Sequence, residues 1–232
     1  MKTKNIIAII ALLLGSGLCH AQVKDFRSFL NKFQTVTLPF HHKKMEHKWE
    51  DLTKEDALKF LQKKEDDLYY MEMSFGYDTE EISYTKRTNL PGFDFKFPVN
   101  DSVYIVCVKE AFLGGAIDTI MSRLYSFTPD GKIIDQGVVV AGSFVEGGAI
   151  TTALFSCVFL NKNQFRVYFY EMIDEERSDG FLSSVHYVEY LITDCGRFIE
   201  KYKSEVAYLN KFPAFYREYD PNSDDPMNKY EF

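Results

Sequence analysis

The amino-acid pattern predicts an α+β protein: an antiparallel β-meander, either a twisted sheet or a partly closed barrel, with two short N-terminal helices. Three observations lead there. From Leu68 the apolar spacing shifts to every second residue, with Tyr69, Met71 and Met73 alternating with Tyr70 and Glu72. Short turn-like connectors then recur: Leu113-Gly114-Gly115, Pro129-Asp130-Gly131-Lys132, Glu146-Gly147-Gly148, Asn161-Lys162-Asn163 and Asp194-Cys195-Gly196. No helical crossover separates them, so strands adjacent in sequence should pair antiparallel in space.

The order of elements begins with a leader. Lys2 and Lys4 precede the apolar run Ile6–Leu14, and Cys19-His20-Ala21 offers small residues before a cut at Gln22. The run is about half the 20 apolar residues a membrane-spanning helix requires. Residues 1–21 therefore read as a cleavable signal peptide, and the product as exported, periplasmic or secreted. Lipid anchoring through Cys19 is the lesser alternative, because bulky Leu18 precedes it. No other stretch is long and apolar enough to span a bilayer as a helix.

Residues 22–67 form an N-terminal helical segment. Phe26, Phe29, Leu30 and Phe33 lie at helical spacing, and Thr35–Phe40 reads extended before and after Pro39. Thr53 and Asp56 resemble a capping box ahead of Ala57, Leu58 and Leu61. Residues 68–210 form the antiparallel β domain, and 211–232 a C-terminal tail. Residues 76–100 read as turn-rich because of Pro91-Gly92 and Pro98. Strands follow over 102–110, 117–127, 132–144, 150–160, 165–173, 185–193 and 198–206. Val103–Val108 and Ala153–Leu160 hardly alternate and must be covered on both faces, by curling of the sheet or by the N-terminal helices. The echo of Phe112–Ile117 in Phe144–Ile150 is one turn solution used twice.

Charge and composition exclude some functions. Without the leader, which carries two lysines and no acid, 25 basic face 34 acidic residues, a net charge of −9. There is no basic footprint for nucleic acid, and anionic lipid headgroups would be repelled. Aromatics make up 16% of the chain, a content that suits pleated surfaces and glycan-binding faces alike. Three cysteines remain after cleavage, Cys107, Cys157 and Cys195, so a full disulfide set is excluded. The first two sit in apolar runs, and Cys195 sits in a turn with no activating base nearby.

Three groups of polar residues are candidate sites. Antiparallel topology would bring the two Gly-Gly loops and the loop 174–180 to one rim. That rim would hold Glu110, Glu146, Asp174, Glu175, Glu176 and Asp179, suited to calcium, a cationic ligand or acid–base work; a solvated loop end is the plainer reading. His41, His42, Glu46 and His47 offer metal donors, but two lysines intervene and a solvated linker fits better. Asp220, Asn222 and Asp224 match the start of a calcium loop, yet Asp225 stands where glycine is needed, which favours a frayed tail. His186 reads as a structural histidine within a strand. Nucleophile elbow, phosphate loop, dinucleotide fingerprint and Cys-x-x-Cys motifs are missing, so no cofactor is expected.

The segments FLNKFQTVTLPF (29–40), TKEDALKFL (53–61) and YSFTPDGKIID (125–135) resemble exported proteins of Bacteroidetes bacteria. The resemblance implies an exported compartment and this architecture, and it transfers no catalytic residue. The expected function is a non-enzymatic binding or cell-envelope-associated protein, with an envelope protein or glycan as partner. A hydrolase using the acidic rim and a calcium-dependent adhesion module are the rivals.

Overall fold

The computed structural model describes residues 23–42, 50–75, 82–112, 119–146, 151–173 and 182–209. Residues 23–30 form α1, and Lys54–Phe60 form α2. The Thr53 hydroxyl caps α2 by accepting from the Asp56 amide at 3.1 Å, with Glu55 and Asp56 in the first turn and Lys59 in the last. Seven residues are too few for a helix to persist in water, so α2 depends on burying Ala57 and Phe60. Two small strands, β1 (Gln34–Thr35) and β2 (Phe40–His42), lie between the helices.

The pair β3 (Tyr69–Phe75) and β4 (Ile82–Thr88) forms a separate two-stranded sheet. The main sheet contains β5 (Gly92–Asn100), β6 (Val103–Phe112), β7 (Thr119–Phe127), β8 (Ile133–Glu146) and β9 (Thr151–Asn161). It continues through β10 (Gln164–Ile173), β11 (Leu182–Ile192) and β12 (Phe198–Lys203), with β13 (Ala207–Leu209) beside β11. From β5 to β12 each strand pairs antiparallel with the next.

The sheet is mixed rather than wholly antiparallel, because β1 runs parallel to β5 through Gln34↔Phe95 and Thr35↔Lys96. Of the two forms the sequence left open, it does not take the closed one: the strand order runs from β1 to β12 without joining into a barrel. The stretch read as turn-rich holds two strands, β4 and β5. Phe93, Phe95, Phe97 and Val99 alternate there with Asp94, Lys96 and Pro98, a signal masked by the prolines. Pro98 is tolerated because β1 covers only Phe95 and Lys96, leaving that edge free beside Pro98.

Both faces of the central strands are buried. The inner face gathers Phe95, Phe97, Ile105, Cys107, Leu124, Val140, Cys157, Phe159, Phe165 and Val167 into one core, so the sheet must curl over them. The outer face of β6 and β7 carries Val106, Val108, Tyr125 and Phe127, packed under Phe26, Phe29, Leu30, Phe33, Phe60 and Leu61. Curling and helical cover operate together on these strands.

Strand β2 occupies a gap in this sheet. β8 pairs with β7 up to Gly142 and with β9 only from Gly142 to Glu146. The rest of that β9 edge is left open, and β2 fills it through Phe40↔Phe159, His41↔Val158 and His42↔Cys157. Elsewhere the curl brings distant parts together: Asp135 Oδ2 on β8 accepts from the Phe198 amide at 2.9 Å, and Asn100 Nδ2 donates to the Asp194 carbonyl at 3.0 Å.

Candidate functional site

The outer face of β10, β11 and β12 presents a row of tyrosines. Cross-strand pairing sets Arg166 opposite Glu189 and Tyr168 opposite Tyr187, and β12 adds Tyr202 opposite Glu189. Ring centroids stand 5.5 Å apart for Tyr168 and Tyr187, and 5.9 Å for Tyr187 and Tyr202, each pair tilted by about 50°. Burial increases along the row: Tyr202 is exposed, Tyr187 half-buried and Tyr168 buried. They line a groove of roughly 270 Å³, completed by Val185, Ser204, Glu205 and Ala207. That is near the lower limit for a small-ligand cleft.

Charged groups frame the groove. Arg166 Nε donates to Glu189 Oε2 at 3.0 Å, and its guanidinium lies 5.0 Å over the Tyr187 ring. Lys201 Nζ stands 3.4 Å from Glu189 Oε1. Burial acts to raise the Glu189 carboxyl, but bonds from Arg166, Gln164 and Lys201 outweigh it and hold it below its ordinary value. The tyrosine rings and the Arg166–Glu189 pair thus lie side by side on this face of the sheet.

A second polar group lies inside the curl. A bulge in β5 between Phe93 and Lys96 redirects the backbone and places Asp94 against residues of three other strands. Asp94 Oδ2 is 3.1 Å from His42 Nε2 of β2, and Ser122 Oγ of β7 is 3.2 Å from the same nitrogen. Ser122 Oγ also donates to Asp94 Oδ2 at 3.3 Å, and Lys109 Nζ of β6 lies 4.0 Å from Asp94 Oδ1. Burial works to raise the Asp94 carboxyl; His42, Lys109 and Ser122 more than reverse this, so it stays below its ordinary value. Cys107 adjoins the group, and burial pushes its thiol well above the usual range.

Serine, histidine and aspartate together suggest a nucleophile relay, but the geometry is wrong for one. A relay needs serine and carboxylate on opposite ring nitrogens, whereas both meet His42 at Nε2. Ser122 is also fully buried, out of a substrate's reach.

The expectations about single residues divide. His42 is not on a solvated linker; it is 5% exposed, within β2. Glu110 is not on the rim. It lies under the N-terminal segment and receives Tyr125 Oη at 2.6 Å, Lys63 Nζ at 2.8 Å and Arg123 Nε at 3.1 Å. His186 is half-buried and stacks on Phe169 at 4.9 Å; burial first, then Lys203, keeps its imidazole below its ordinary value. Cys107 and Cys157 are free and buried, and Cys195 is free and exposed.

The strand ends leading to the two Gly-Gly loops and to loop 174–180 share one end of the sheet, through Phe112↔Thr119, Glu146↔Thr151 and Ile173↔Leu182. The side chain of Glu146, together with Asp174, Glu175, Glu176 and Asp179, lies outside the described residues. So do residues 1–22, 43–49 and the tail with Asp220, Asn222 and Asp224. Among the described residues no helix is long and apolar enough to cross a membrane.

Sequence reasoning missed the tyrosine row and the inner polar group. For the first, only the register of β10 with β11, and of β11 with β12, shows which residues join the row. For the second, His42, Asp94, Cys107 and Ser122 are scattered over 81 positions with no shared motif. Comparison with protein-family models, with curated proteins and with solved structures finds no match.

Proposed function

We propose that this chain is an exported binding protein of the cell envelope, periplasmic or secreted, that recognises a glycan through the tyrosine groove. The observation that carries the proposal is the row Tyr168–Tyr187–Tyr202 beside the Arg166–Glu189 pair, open to solvent at Tyr202. The leader at 1–21, and the resemblance to exported Bacteroidetes proteins, support the compartment. Within this reading the consecutive strands are a meander that serves as a rigid scaffold, and the N-terminal helices act as its cover. A binding role also fits the His42–Asp94–Ser122 geometry, which lacks a relay.

Titration calorimetry of the mature chain with cello- and chito-oligosaccharides and with solubilised envelope glycan tests the proposal. Binding to one of them is expected, and Tyr202→Ala should weaken it about tenfold, roughly 1.4 kcal/mol. Heat of binding that is unaffected by Tyr202→Ala moves the site elsewhere. Saccharide cleavage during the titration would favour the hydrolase reading instead.

A further inference from the structure

We infer that His42, Asp94 and Cys107 form a buried site for a divalent transition-metal ion, zinc being the best match. This inference is independent of glycan binding. Three strands distant in sequence, β2, β5 and β6, converge to present one imidazole nitrogen, one carboxylate oxygen and one sulfur, all within 4.8 Å of one another. In a tetrahedral zinc centre, donors bound at 2.0–2.3 Å stand about 3–4 Å apart, so a small contraction suffices. The His42–Asp94 separation of 3.1 Å is already in that range. Ser122 Oγ, 3.2 Å from His42 Nε2, or a water supplies the fourth position.

The donor chemistry selects the metal. Thiolate and imidazole favour zinc and its neighbours over calcium and magnesium, which seek oxygen. Lys109 meets Asp94 through Oδ1 and orients the carboxylate from behind, so Oδ2, which faces His42 and Ser122, is the oxygen that would turn to the ion. Its positive charge also repels a dication, which sets the affinity below that of a site without a lysine. Binding exchanges the Cys107 proton for the metal and releases it to solvent, with no change of oxidation state. The ion would join β2 to the sheet beside the gap left by β8.

Cobalt(II) makes the test specific, because a cobalt–thiolate bond has a charge-transfer absorption. The mature chain from Gln22, without a metal-binding tag and stripped with chelator, is titrated with cobalt and then zinc. One equivalent of cobalt should bind with a thiolate band that zinc displaces, and zinc should raise the melting temperature. Cys107→Ser, nearly isosteric, should stay folded and lose the band, whereas Cys195→Ser at the exposed turn should retain it. Absence of a band in folded wild-type chain overturns the inference. A band that survives Cys107→Ser, or vanishes with Cys195→Ser, overturns it as well.

Discussion

Glu110 and Asp94 are carboxylates on opposite faces of the same sheet, and both stay ionised against burial. For Glu110, desolvation pushes the carboxyl up, while Lys63, Tyr125 and Arg123 pull it further down, below its ordinary value. Its partner phenol moves the other way: burial and the Glu110 charge hold Tyr125 above its usual range. A carboxyl with a folded pKa below its unfolded one stabilises fully above the unfolded pKa, about 4. That contribution disappears as pH falls through the folded value. Glu110→Gln is therefore expected to cost about 1–3 kcal/mol at neutral pH, since charged hydrogen bonds are lost. The deficit should shrink as pH falls below about 4, through the lowered folded value. Urea denaturation across that range measures it, and a constant deficit would contradict the assignment.

Among the elements, the β7–β8 hairpin shows how a turn and a helix constrain each other. The Gly131 amide donates to the Thr128 carbonyl at 3.0 Å, and Gly131 has φ +85°, a conformation that favours glycine. The Phe26 ring of α1 lies where a Cβ would sit, 2.8 Å away. Gly131→Ala therefore meets both backbone strain and a ring collision, an expected loss of about 2–4 kcal/mol. Gly137, in β8, has φ +122° with nothing within 4 Å of its would-be Cβ. Gly137→Ala should cost only the backbone part, about 1 kcal/mol. Comparing their urea midpoints separates strain from packing. β2 is a contrasting case, with three residues in an open edge. Phe40 packs against Phe95 and Phe159 with centroids at 5.0 and 6.4 Å. Burying His42 without partners would cost about 1–3 kcal/mol, comparable to what Phe40 contributes, so Asp94 and Ser122 decide whether β2 docks.

At the scale of the whole molecule, the curl brings β8 against the start of β12. The Asp135 carboxylate accepts from the Phe198 amide, while Phe198 packs on Phe165 with centroids at 6.2 Å. Asp135→Ala would leave that amide unpaired at the seam, an expected loss of about 1–2 kcal/mol. Hydrogen exchange should show it first at Phe198 and then along β12, because local opening begins where few contacts hold an edge. Exchange that rises equally in β6 and β7 would mean that the seam is not a separate unit.

Much of the scaffold was legible in the sequence, because strand alternation and turn chemistry are local. The Pro129-Asp130-Gly131 turn, the Thr53 cap and the two-sided burial of Val103–Val108 are readable from neighbours a few residues apart. β5 was obscured by Pro91 just before it and by Pro98 within it, and Pro98 is tolerated because β1 covers so little of that edge. The expectation of a leader at 1–21, like that of an acidic rim, rests on sequence alone. Only the tertiary structure decided that His42 is buried rather than solvated and that Glu110 pairs with Lys63 and Arg123. It alone assembled Tyr168, Tyr187 and Tyr202 into a row and His42, Asp94 and Cys107 into one cluster. The physical reason is range: such sites are made by inter-strand register, a bulge and the bend of β8 away from β9. Those features are fixed by packing between segments far apart in the chain, which no local pattern encodes.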